Sequence, residues 1–83
     1  MEQITRTPTQ LGAVLRRRRK ALGLSQADLG QRINLRQATV SAVESGEVDT
    51  KLTTLMDTLA ALNLELVVRP RSSGGDGDIE AMF

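Results

Sequence analysis

Eighty-three residues, of which 40% are hydrophobic, make one small domain whose own core gives only marginal stability, so a partner subunit is expected. There is no Cys and no His, which excludes a disulfide framework and thiolate or imidazole metal sites, and leaves nucleophilic and zinc chemistry without their usual groups. Net charge is +1, yet residues 1–51 carry nine Lys/Arg against five Asp/Glu (+4) and residues 52–83 carry two against five (−3), so a basic body with an acidic tail can meet an anion at one end and a different partner at the other.

Residues 1–6 form an N-terminal arm. "TPTQLGAVLRRRRKALGL" predicts a first helix: Thr7 caps it, Pro8 suits the first helical position and Gln10 has capping-box spacing. Its apolar stripe is Leu11, Val14, Leu15 and Leu22, and Gly23 supplies a left-handed stop. Ser25 caps a second helix with Asp28 in its first turn, and Leu29 and Ile33 share a face four residues apart. After Asn34 and Leu35 a third helix runs from about Arg36 to Ser45, burying Val40 and Val43 and ending at Gly46.

Thr50 is the expected cap of a fourth helix, whose Leu52, Leu55, Met56, Leu59 and Leu62 repeat at helical spacing and are expected in the core. Asn63 is its left-handed exit. "LELVVRP" then switches to period two, with Leu64, Leu66 and Val68 on one face until Pro70 stops it. From Arg71 a polar, glycine-rich tail, expected to be disordered in the free protein, leads to "IEAMF" with Phe83, the one aromatic residue. The expected divisions are an arm at 1–6, a helical domain at 7–63, a dimerisation strand at 64–70 and a flexible tail at 71–83.

Two helices joined by a turn of three or four residues make a helix-turn-helix, whose second helix enters the DNA major groove. Close crossing of the pair demands a small residue on the second helix, and Gly30 is there at a helix-interior cost of about 1 kcal/mol relative to Ala. Once Val40 and Val43 are docked, Arg36, Gln37, Ala38, Thr39 and Ser41 point away from the core. Arg binds guanine O6 and N7 in bidentate fashion, Gln does the same with adenine N6 and N7, and Ala touches a thymine methyl. Gln26, in the first turn of the second helix, can hold a phosphate beside exposed backbone N–H groups, with Ser25 and Thr39 as further phosphate contacts. The run "RRRRK" at 16–20 wraps around its helix, so only part of it can meet one phosphate strand; Arg17 and Lys20 are the candidates.

At these residues the chain resembles the phage-repressor-like (Xre/Cro) helix-turn-helix family, whose pattern "L-x-Q-x-x-L-A-x-x-x-G" stands here as "LSQADLGQRIN". Gly30 replaces the family's usual Ala, and Asn34 its usual Gly; Asn tolerates the left-handed turn better than other side chains. The resemblance implies an ion pair between Arg19 and Glu44. Residues 7–69 are further similar to HipB-type antitoxins. That likeness implies an all-α domain of four helices with one C-terminal β-strand pairing across a dimer. It also implies repression of the protein's own operon and binding of a HipA-type serine/threonine kinase toxin, with base-reading positions at Arg36, Gln37, Ala38 and Ser41. A terminal aromatic can dock on the kinase in this family, which implicates Met82 and Phe83.

A lone strand in a helical chain leaves its backbone groups unpaired, so Leu64, Leu66, Val67 and Val68 are expected to pair with the same strand of a second copy. A two-fold dimer then sets two recognition helices roughly 34 Å apart over an inverted repeat in double-stranded DNA. No cofactor or metal is expected, since Asp57, Glu65, Asp76, Asp78 and Glu80 lack calcium-loop spacing. No apolar run approaches the roughly 20 residues that span a bilayer, and the amino end shows no signal-peptide pattern, so no membrane partner and a cytoplasmic, nucleoid-associated location are expected. Other readings are a stand-alone Xre-type regulator without a toxin and a protein-interaction adaptor. A small hydrolase is disfavoured, because Ser and Asp have no His or activated Lys beside them.

Overall fold

The computed structural model describes residues 2–46 and 49–72, which hold four helices: α1 (Pro8–Ala21), α2 (Gln26–Ile33), α3 (Gln37–Ser45) and α4 (Leu52–Ala61). Helix α3 packs on both α1 and α2, and α4 on α2. The core is a cluster of Leu15, Leu29, Val40, Leu59 and Leu62, one or two from each helix or its cap, ringed by half-buried Leu11, Leu24, Ile33, Leu35, Val43, Leu55 and Leu64. No helix among the described residues is long and apolar enough to cross a membrane.

Local chemistry accounts for most helix ends. Thr7 caps α1 by accepting from Gln10 N, with Pro8 at the first helical position, and Gly23 follows the last turn at φ 73°. Helix α2 opens on a full capping box and ends at Asn34 with φ 57°; Gly46 (φ 70°) ends α3, and Asn63 (φ 57°) follows α4.

Several expectations are corrected. The Gln10 side chain accepts from Arg6 N at 2.6 Å, so the reciprocal half of its box falls one residue before the cap. Arg36 is the N-cap of α3 with extended backbone, and α3 proper begins at Gln37. Lys51, not Thr50, caps α4, with no side-chain bond. Leu22 is exposed because it has become the C-cap of α1, and the buried positions of that helix are Gly12, Leu15 and Arg19. On α4, Leu52 is 68% and Met56 45% exposed, so its core face is narrower than its leucine repeat. Within this single chain residues 64–72 form no ladder, and no strand occurs among the described residues; Leu66 and Val67 are exposed and Val68 is 90% exposed.

Two glycines permit the close crossings. A Cβ at Gly12 would fall against the Glu44 carbonyl oxygen and lie 2.8 Å from that of Val43, so α1 and α3 touch backbone to backbone there. A Cβ at Gly30 would meet the Leu35 carbonyl oxygen, and Leu35 N donates to Gly30 O at 2.8 Å, so the turn between α2 and α3 is seated directly on this glycine.

The N-terminal arm lies beside the C-terminal stretch. Arg69 Nη1 pairs with Glu2 Oε1 at 2.9 Å and Arg6 Nη2 donates to Ser72 O, flanking an open groove of about 800 Å³ floored by Leu11, Val14 and Leu59.

Candidate nucleic-acid interface

The interface is built on α2, a three-residue turn at 34–36, and α3. At the start of α2, Asp28 N donates to Ser25 Oγ (3.0 Å) and Ser25 N to Asp28 Oδ2 (2.9 Å). The Ser25 backbone N–H, and after it the Ser25 hydroxyl, hold the Asp28 carboxyl below its ordinary 3.8; slight desolvation opposes them and the charge of Arg32 adds to them. The box keeps α2 wound from its first residue and fixes where Gln26 projects.

Helix α3 is seated by Val40, half-buried Val43 and buried Glu44. Glu44 takes one edge of a guanidinium with both carboxylate oxygens: Arg19 Nε donates to Oε2 at 2.6 Å and Arg19 Nη2 to Oε1 at 3.1 Å, with the two side chains 8% and 4% exposed. The pair implied by the family resemblance therefore exists, and it is buried. Arg19 Nη1 also donates to Leu24 O at 2.7 Å, so one guanidinium ties α1, the loop before α2, and α3. The hydrogen bonds Arg19 donates to Glu44 raise the Arg19 pKa above its ordinary value, burial works against them, and the Glu44 charge adds to them.

With α3 so docked, Arg36, Gln37, Ala38, Thr39 and Ser41 are all exposed at its amino end. Ser25 is exposed and Gln26 half-buried at the neighbouring end of α2, and the Gln37 amide Nε2 lies 3.5 Å from Gln26 Oε1, so the two helix openings meet there. Arg17 and Lys20 are exposed on α1. Arg18 and Arg19 of the same run turn inward, Arg18 Nε donating to Leu62 O at 3.0 Å. Leu64 is half-buried, whereas Leu66, Val67 and Val68 stand free of the helical body's core. Met82 and Phe83 lie outside the described residues.

Sequence reasoning missed the contacts that join these groups. Gln26 Nε2 donates inward to Glu44 Oε1 at 3.2 Å, which nothing local to Gln26 foretells, because Glu44 belongs to a different helix. Gly12 was legible in principle by the logic applied to Gly30, since glycine inside a helix needs a packing reason.

Two short helices, a tight turn and a polar opening on the second define a helix-turn-helix DNA-binding domain. A family model described as Helix-turn-helix matches residues 15–68. The chain is 34% identical over 62 residues to Antitoxin HipB of Escherichia coli, both strain K12 and strain CFT073; each match covers 75% of this chain and 70% and 66% of theirs. It thus spans about two thirds of these relatives. Among solved structures, a chain of the HipA-HipB-O2-O3 complex is similar with TM-score 0.74 and 32% identity, covering 82% of this chain and 96% of that one. The chain belongs to the HipB-type antitoxins of the phage-repressor-like helix-turn-helix family, which are DNA-binding proteins and not a family of enzymes.

Proposed function

We propose that this protein binds a specific double-stranded operator as a homodimer, represses its own toxin–antitoxin operon and binds a HipA-type serine/threonine kinase toxin, with no catalysis of its own. The observation that carries the reading is the exposed opening of α3 beside that of α2, on a helical pair locked from behind by Arg19 and Glu44. A rigid mount matters, because base edges are read only by side chains held in register.

In this reading Arg36 takes guanine, Gln37 adenine, Ala38 a thymine methyl, and Ser41 a further base edge. Ser25, Gln26 and Thr39, with Arg17 and Lys20, take phosphates and set register. Leu64, Leu66, Val67 and Val68 pair with the same segment of a second subunit, which covers apolar side chains now in solvent and gives the backbone of 64–70 its ladder. The similarity to a chain of the HipA-HipB-O2-O3 complex supports a HipA-type partner, and Met82 and Phe83 are its proposed docking residues. The corresponding location is cytoplasmic, at the nucleoid.

Arg36→Ala tests the reading. It is expected to cost about 1–3 kcal/mol on the operator and to relax one base position, whereas loss of a phosphate contact weakens all sequences alike. Quantitative gel shifts on operator and random duplexes decide: equal losses on both refute the role of Arg36, and no binding to either favours an adaptor. Copurification with a co-encoded kinase separates the antitoxin from a stand-alone regulator, and deletion of residues 79–83 should lower the affinity for that kinase.

A further inference from the structure

Among the described residues the exposed large apolar side chains are not scattered. Four of the seven, Ile4, Leu66, Val67 and Val68, line the groove between the N-terminal arm and residues 64–72. Single exposed apolar residues are ordinary, but several around one concave surface mark an interface. The groove, about 800 Å³, also has the apolar floor of Leu11, Val14 and Leu59.

The two walls of the groove run in the same sense. Glu2 meets Arg69 and Arg6 meets Ser72, so the arm and the C-terminal stretch advance along the groove together. Both contacts are made by long side chains, and among the described residues no backbone-to-backbone hydrogen bond joins the walls. An arginine side chain spans more than the roughly 4.8 Å between neighbouring strands, so the walls are tied without being paired. Most of their backbone N–H and C=O groups are left for a third segment.

Residues 64–70 of a second copy fit that place. In a two-fold ribbon the two copies of this stretch run antiparallel, and because the arm shares the direction of its own stretch, the incoming segment is antiparallel to the arm as well. It brings Leu66, Val67 and Val68 to Ile4 and the apolar floor. A ribbon of two strands is marginal by itself. Flanked by both arms it becomes a layer of four segments, in the order arm, partner stretch, stretch, partner arm, and both edges of the ribbon are covered.

We propose that residues 2–6 belong to the dimer interface: each arm holds the partner's residues 64–70 against its own subunit's stretch, with Ile4 as the apolar contact. This rests on the homodimer reading above. The Glu2–Arg69 and Arg6–Ser72 bonds act within one subunit, as ties that keep the arm beside the seat before the partner arrives.

The chain has no cysteine, so introduced thiols report without background. A tagged chain carrying Ile4→Cys is mixed with untagged chains carrying Leu66→Cys, Val67→Cys or Val68→Cys in turn, and oxidised. A disulfide joining the tagged to the untagged chain is expected in at least one mixture, because the bond forms only between closely placed Cβ atoms. If no mixture links, and the corresponding double variants link only within one chain, the arm lies against its own stretch and the proposal is overturned.

Sedimentation velocity on dilution gives the second reading. Ile4→Asp changes a side chain already 53% exposed in the single chain, so the helical domain should stay folded. It is expected to raise the dimer dissociation constant by roughly 10-fold or more, since each dimer loses two apolar contacts. An unchanged constant, or a tighter dimer after deletion of residues 1–6, overturns the arm's role while dimerisation through 64–70 stands. If the unaltered chain is a monomer at every concentration, the homodimer reading fails and the arm's role falls with it.

Discussion

At Glu44, burying a charge and leaving a charge unpaired have opposed costs. Taking both ions from water is expensive, so the intact pair adds little net stability, but removing one member strands the other. Glu44→Ala is therefore expected to lower stability by about 3–5 kcal/mol, since the Arg19 side chain is only 8% exposed, and urea titration measures it. Arg19→Met combined with Glu44→Leu should lose less than either single change to Ala. Composition could not single out Arg19 from five consecutive basic residues; the pairing was legible only through the family resemblance. Which of the five turns inward depends on how α1 is rotated against α3, and that is set by the backbone contact at Gly12. The outward direction of Arg36 and Gln37 was legible, because placing Val40 and Val43 inward leaves their neighbours no other side.

Helix α2 shows what short-range chemistry determines. Ser25 and Asp28 are three residues apart, so their reciprocal bonds need nothing from the rest of the fold, and the box was visible in the sequence. Its carboxyl is held below the ordinary 3.8, so the ionised form is favoured by folding. That contribution is present above the unfolded pKa, at neutral pH, and is lost as pH falls from about 3.8 through the lower folded value. Asp28→Asn keeps an acceptor but no charge. It should reduce the fall in melting temperature below about pH 4, read by circular dichroism. Where a helix end depends on tertiary fit, the sequence misleads: Gln10 reaches Arg6 N, and α4 starts after Lys51 although Thr50 is the better cap by residue type. Periodicity likewise placed Leu52 and Met56 on one stripe with Leu59, but how wide a stripe is covered depends on the neighbouring helices.

For the whole molecule, the proposed two-fold assembly turns on residues 64–70. Leu66→Asp with Val68→Asp puts charge on the expected pairing segment at positions already exposed in the single chain, so the helical domain should remain folded. Light scattering at micromolar concentration is expected to give a monomer. Operator affinity should fall by about 100-fold or more, because the second half-site is then no longer an intramolecular event. The strand expected from the period-two run is not formed in the single chain, where residues 64–72 make no ladder, and a ladder needs two segments.

The bond from Arg18 to the carbonyl of Leu62 pins the end of α4 to α1, and so fixes the bearing on which residues 64–70 depart. In a two-fold pair that bearing becomes the gauge between the two reading heads, held by a side chain bonded inward to the end of α4. With Arg18→Ala, duplexes carrying an extra base pair between half-sites should be penalised less than they are by the unaltered protein.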